Sequence, residues 1–148
     1  DPMEVMKRLV TLNEMENWIR GLCGRAIAII RSVREDHSFK QIEKAMAYIQ
    51  EHYADPDLSL KTVCQHVAIS ASYFSTLFKT MTGKTFVEYL IDVRMERAKE
   101  LLKLTSMRSY EIAFAVGYKD PQYFSSAFKK YTGDTPTDFR SRMAEAIQ

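Results

Sequence analysis

Ser72, Ser75, Thr76 and Lys79 stand at positions i, i+3, i+4 and i+7, and Gln122, Ser125, Ser126 and Lys129 repeat that spacing fifty residues later. On a helix this spacing lines four side chains along one stripe. The stripe consists of small hydroxyls, one amide and a lysine at its far end, with no carboxylate to repel a phosphate. Those groups suit the reading of nucleic-acid bases. A serine or threonine hydroxyl donates to or accepts from a base edge, and glutamine pairs bidentately with adenine. Any exposed helix face is polar, so a single stripe carries little weight. Two stripes in register, each in the same local frame, carry more.

The frame is a repeat. Ser72-Tyr73-Phe74-Ser75, Phe78-Lys79 and Thr82-Gly83 return as Gln122-Tyr123-Phe124-Ser125, Phe128-Lys129 and Thr132-Gly133. Opposite the first stripe lie Phe74, Leu77, Phe78 and Met81, and opposite the second lie Phe124, Ala127, Phe128 and Tyr131, which form the expected core face. Tyr73 and Tyr123 are open between packing at a domain edge and contact with a ligand. Ahead of each stripe a short helix aligns at an offset of 49, Val63, Cys64 and Val67 against Ile112, Ala113 and Val116, so the second unit has one more residue in its turn. Two helices joined by so tight a turn make a helix-turn-helix. The units are expected at about 59–83 and 109–133. Between them the capping box Thr85…Glu88 launches a helix to about Leu104. About 20 residues give roughly 30 Å, close to the roughly 34 Å between successive major-groove faces of B-DNA.

The remaining features set bounds. A chain of 148 residues makes one domain, or a small domain with an appendage. A net charge of +2 cannot by itself argue for nucleic acid, so local placement must. No apolar run or leader pattern marks a membrane span or export, and a cytoplasmic location is expected. The start at Asp1-Pro2 reads as a piece of a longer protein or as residues added ahead of Met3. Cys23 and Cys64 lie far apart in apolar helical contexts and read as buried free thiols. Val5, Leu12, Ile19, Ala26 and Val33 recur every seven residues, with Met15, Leu22 and Ile29 three positions later. This seam marks residues 3–35 as a connector or homodimerisation helix, weakened at Gly21 and Gly24. A capping box at Ser38…Gln41 predicts a separate helix over about 39–53. The expected fold is all-α: a connector over 1–37, then a domain over 38–148 with two helix-turn-helix subdomains on a long linking helix.

The segments SLKTVCQHVAISASYFSTLFKTMTGKTFVEYL, RMERAKELL and SYEIAFAVGYKDPQYFSSAFKKYTGDTPTDFR together resemble the DNA-binding domain of the AraC/XylS family of bacterial transcription regulators. IAFAVGY followed by FSSAFKKYTGDTP is the most specific part. The resemblance covers about 38–142 and implies double-stranded DNA as partner, with RNA polymerase as a further one. It puts Ser72, Ser75, Thr76, Gln122, Ser125 and Ser126 where base contacts occur. Arginine, common in the family at the positions of Thr76 and Ser126, is absent, so affinity should draw on phosphate contacts, DNA shape or dimerisation. Lys61, Lys79, Lys84, Lys119, Lys129 and Lys130 are the phosphate candidates, and the helix N-termini near Ser59, Thr85, Ser109 and Thr135 offer further N–H groups. Arg94 and Ala98 match the family's linking helix, Arg94 as a structural partner and not a reader. LNEMENWIRGL before the AIAII run resembles the connector of YesN-type two-component response regulators, whose phosphorylated receiver controls the DNA-binding end. A connector from a regulator with another kind of sensor would read alike.

Other chemistries lack their residues. His37, His52 and His66 form no metal set with Cys23 or Cys64. No nucleophile elbow or Gly-rich phosphate loop is present, so neither a catalytic residue nor a cofactor is expected. Glu96 and Glu100 among Arg94, Arg97, Lys99 and Lys103 read as an ion-paired helix face. The rival to a DNA-binding regulator is a helical module whose business is protein contact through residues 3–35.

Overall fold

The computed structural model describes residues 11–146. Those residues form seven helices: α1 (Leu12–His52), α2 (Leu60–Val67), α3 (Ala71–Thr82), α4 (Phe86–Leu104), α5 (Ser109–Ala115), α6 (Pro121–Thr132) and α7 (Pro136–Glu145). No strand occurs among the described residues. The chain divides into two compact units, one ending at Lys40 and the other running from Gln41.

Two expectations about α1 are corrected. It runs 41 residues without interruption, through Gly21, Gly24 and the predicted cap at Ser38. Each glycine costs about 1 kcal/mol in a helix interior but does not block the hydrogen-bond ladder. A capping box acts only where the chain leaves helical geometry ahead of it, and residues 25–52 contain neither proline nor glycine to force that. The helix starts instead at Thr11, whose amide donates to Glu14 Oε2 at 3.0 Å while the Glu14 amide donates to Thr11 Oγ1 at 3.2 Å. Val5 and the rest of the seam ahead of Thr11 lie outside the described residues. The second correction is Cys23, which is exposed; Cys64 is buried, and burial pushes its thiol pKa up.

The unit from Gln41 has two cores strung along one helix. Phe86, Leu90 and Val93 of α4 join Ile42, Ala45 and Ile49 of α1 and Val63, Phe74 and Phe78 in the first. Met95, Ala98 and Leu102, the next turns of α4, join Ile112, Val116, Phe124, Phe128 and Phe139 in the second. Ala98 is fully buried, and its single methyl lets α4 lie close to the second set. Each fully buried phenylalanine contributes about 1.5–3 kcal/mol by leaving water.

The repeat extends further than the stripes. Phe78 meets Tyr89 edge-on at 5.4 Å, and fifty residues later Phe128 meets Phe139 edge-on at 5.5 Å. Thr82 and Thr132 each donate to the carbonyl of the helix turn before them, at 2.7 and 2.9 Å, and each accepts the amide of Lys84 or Asp134 at 3.2 Å. Gly83 and Gly133 close α3 and α6 at φ 75° and 89°. Each repeat is therefore three helices, the third being α4 or α7. Met81 and Tyr131, placed in the core by periodicity, sit at its rim, 37% and 38% exposed.

Candidate nucleic-acid interface

The stripes come from helices whose starts are well defined. Ser70 caps α3 by accepting the Tyr73 amide at 3.3 Å. Asp120 caps α6 by accepting the Gln122 amide at 2.8 Å, with Pro121 in the first turn where its missing N–H costs nothing. Phe74 and Phe78, then Phe124 and Phe128, anchor one side of each helix and so present the other. On α3 all of Ser72, Ser75, Thr76 and Lys79 are exposed; on α6 Gln122, Ser126 and Lys129 are exposed and Ser125 is partly buried.

Two hydroxyls are polarised by their own helix. Thr76 donates to the Ser72 carbonyl at 3.2 Å and Ser125 to the Pro121 carbonyl at 3.0 Å. With the hydrogen committed inward, each shows lone pairs outward and meets a partner as an acceptor. A ligand donor such as an exocyclic amine suits them.

The six lysines differ in their engagement. Lys61, Lys79, Lys129 and Lys130 are exposed. Lys84 donates to an Asp92 carboxylate, whose hydrogen bond and charge raise the lysine pKa. Lys119 pairs with Asp57 at 2.5 Å. Both pairs are solvent-exposed, and exposed pairs hold weakly.

Of the four helix N-termini, three carry a carboxylate of their own. Glu88 accepts the Thr85 amide at 2.8 Å, Glu111 the Arg108 amide at 2.6 Å, and Asp138 the Thr135 hydroxyl at 2.6 Å. The Thr85 hydrogen bonds hold Glu88 below the ordinary carboxylate pKa. Those N-termini already have their anion. Arg108, not Ser109, occupies the cap position of α5. Only at Ser59 is the reciprocal partner a hydroxyl, Thr62 Oγ1 accepting the Ser59 amide at 3.1 Å.

Tyr110 also borders the interface, although the spacing of polar residues does not single it out. Ser109 and Tyr110 of α5 form a cleft of about 550 Å³ with Pro121, Gln122, Ser125 and Ser126. Tyr110, 46% exposed, thus borders the α6 stripe. The signal was available: at the offset of 49 that aligns the first helices, Tyr110 corresponds to Lys61. Tyr123 is 65% exposed and 5.9 Å from the Tyr118 ring. Tyr73 is 49% exposed. His52 and His66 stack on the Tyr48 ring, each at 4.1 Å. Among the described residues no group of three His, Cys, Asp or Glu side chains could hold a metal ion, and no described helix is long and apolar enough to cross a membrane.

Known proteins resemble this chain in sequence and in fold. A family model described as a helix-turn-helix domain matches residues 63–142. The arabinose operon regulatory protein of Escherichia coli is 36% identical over 131 residues, 88% of this chain and 45% of that protein. The transcriptional regulatory protein YesN of Bacillus subtilis, itself uncharacterised, is 38% identical over 113 residues, 74% of this chain and 31% of that protein. The chain spans less than half the length of these two curated relatives. Among solved structures, the C-terminal domain of AraT, a response regulator from Geobacillus stearothermophilus, superposes with a TM-score of 0.68 at 39% identity, covering 69% of this chain and 84% of that one.

Proposed function

The chain belongs to the AraC-type helix-turn-helix family of transcription regulators, and on that footing we propose that it reads two adjacent major-groove segments of double-stranded DNA, α3 entering one and α6 the next. The observation that carries this reading is the duplicated stripe: two rows of the same spacing, exposed but for the partly buried Ser125, each backed by the same pair of buried phenylalanines. Ser72, Ser75 and Thr76 read one segment, and Gln122, Ser125 and Ser126 the other. The inward-donating hydroxyls of Thr76 and Ser125 favour the amino groups of adenine or cytosine, and Gln122 adds bidentate pairing with adenine. Lys61, Lys79, Lys129 and Lys130 neutralise phosphate, while Lys84 and Lys119 do so after leaving their carboxylates.

A gel-shift series separates these roles. Gln122→Ala should lose about 1–3 kcal/mol of discrimination at its base pair and bind other duplexes as before. Lys130→Ala should weaken all duplexes alike and reduce the slope of log affinity against log salt by about 1. Equal behaviour of both variants and the parent on every duplex would remove these assignments.

For the longer protein we propose the class of AraT and YesN: an output end controlled by a phosphorylated receiver, acting on RNA polymerase from its DNA site. Acetyl phosphate treatment of the full-length protein should then raise its DNA affinity, and no change would favour a different sensor. A homodimer through the connector is the companion proposal, and a specific observation favours it. Ile19, Leu22, Ile29 and Val33, spaced as a seven-residue seam, are each more than 40% exposed. Sedimentation of the doubly substituted Leu22→Glu, Ile29→Glu chain should give half the parent mass. An unchanged mass would end the seam's role.

A further inference from the structure

The second helix-turn-helix unit is attached to the first by more than α4. The loop of residues 53–57, which leads from α1 into α2, lies against the turn between α5 and α6. Arg94 of α4 ties that loop down: its Nε donates to the Tyr53 carbonyl at 2.9 Å and its Nη2 to the Asp55 carbonyl at 2.9 Å. The same guanidinium stacks 5.4 Å from the centre of the Tyr118 ring, and Tyr118 in turn meets Phe124 of α6 edge-on at 5.4 Å. Contact is close enough that a Cβ on Gly117 would lie 2.5 Å from the Tyr53 carbonyl oxygen and 2.9 Å from Arg94 Nη2. Lys119 and Asp57 form a weaker, solvent-exposed crossing at 2.5 Å, one that is given up when Lys119 turns to phosphate. Tyr53 itself packs against both cores, and its hydroxyl accepts from Arg97 Nε at 3.3 Å.

A lone helix joining two bodies bends and twists. A second attachment off the helix axis removes most of that freedom. We infer that Arg94 is a positioning residue which, by pinning the 53–57 loop to the turn ahead of α6, sets the one spacing and phase at which both helices engage DNA. This rests on the two-segment reading proposed above. It adds that spacing is selected by the protein and that the selector lies away from the reading face. Each base pair inserted between the segments moves them apart by about 3.4 Å and rotates them by roughly 35°. A pinned pair of readers must then deform the DNA or release one segment.

The test uses the duplex the unaltered chain selects best from a random pool, footprinted, then rebuilt with one base pair added or removed between the protected segments. The unaltered chain should bind both rebuilt duplexes about tenfold or more weakly than the parent duplex. Arg94→Ala should bind the parent duplex less well but bring that ratio within about threefold. Arg94→Lys, which keeps charge and stem but loses the two-pronged donor, should fall between. A variant that merely folds less well loses all duplexes in proportion and leaves the ratio at the parent value, which would overturn the proposal. Should the alanine variant not fold, the lysine variant decides by the same ratio. A two-segment footprint with no spacing penalty in the unaltered chain also overturns it. A one-segment footprint instead overturns the two-segment reading, and the spacing role with it.

Discussion

Gly117→Ala is expected to lower the unfolding free energy by about 3 kcal/mol or more, read as a shift of the denaturant midpoint at unchanged slope. Two terms act in the same direction. Gly117 has φ +95°, which L side chains rarely adopt, and forcing one there costs roughly 1–3 kcal/mol. The new methyl would also lie 2.5 Å from the Tyr53 carbonyl, a backbone atom held by Arg94, so the clash cannot relax by a rotamer change. Gly83 and Gly133 supply the control. Their φ values are +75° and +89°, but nothing lies within 4 Å of an added Cβ. Alanine there should cost only the conformational term, about 1–2 kcal/mol.

The first unit makes the comparison sharper. At the offset of 49 Gly117 corresponds to Ala68, which adopts φ 57° as a non-glycine residue. A left-handed residue in that turn can therefore carry a methyl group, though at φ 57° and not at the φ 95° of Gly117. What the second unit cannot tolerate is a methyl facing the 53–57 loop. The glycine of the IAFAVGY segment serves a tertiary contact as well as a turn. Equal costs at all three glycines would mean that the close approach to Tyr53 carries no energy.

That contrast shows which parts of the molecule local sequence encodes. The helix starts at Ser59, Thr85 and Thr135 were legible because each rests on a hydrogen bond between residues three positions apart. The core faces were legible from the i, i+3, i+4 spacing of Phe74, Leu77 and Phe78 and its copy. The Ser38 cap failed because its signal needs a break in the helix ahead of it, and nothing in residues 25–52 supplies one. Cys23 is exposed despite its apolar neighbours, because apolar neighbours in sequence show what could be buried and not what covers it. The contacts of Arg94 with Tyr53 and Asp55 span 41 and 39 residues, beyond the reach of any periodicity. Family resemblance marks Arg94 as structural, and the fold shows that it joins the loop before one unit to the turn of the other. On the site, the stripes were legible as exposed rows. The inward commitment of the Thr76 and Ser125 hydroxyls was not, since Ser75 and Ser126 share their chemistry and also have a helical carbonyl four residues back.

The largest effect on DNA should come from a carboxylate set into either stripe. Thr76→Glu and Ser126→Glu each place a negative charge on an exposed position that packs no core. Both positions belong to the row that should lie against base edges, with phosphates on either side. A like charge forced against such a surface costs several kcal/mol, so each variant should lose about 100-fold or more in affinity for the selected duplex. Thermal melting should scarcely move, because the new side chain remains in water in the free protein. The pair of variants carries more information than either alone. If both helices enter the groove, both single substitutions are costly and the double substitution leaves only the salt-dependent, sequence-independent binding of the lysines. If Thr76→Glu were silent while Ser126→Glu abolished binding, α6 would read alone and α3 would hold a backbone or no DNA at all. The asymmetries already seen lean toward α6, which has the amide, the Tyr110 cleft and two consecutive lysines. The symmetric core behind α3, with Phe74 and Phe78 as buried as their counterparts, argues that the first helix is presented as firmly as the second. Affinity of the two variants, measured side by side at one salt concentration, decides between these.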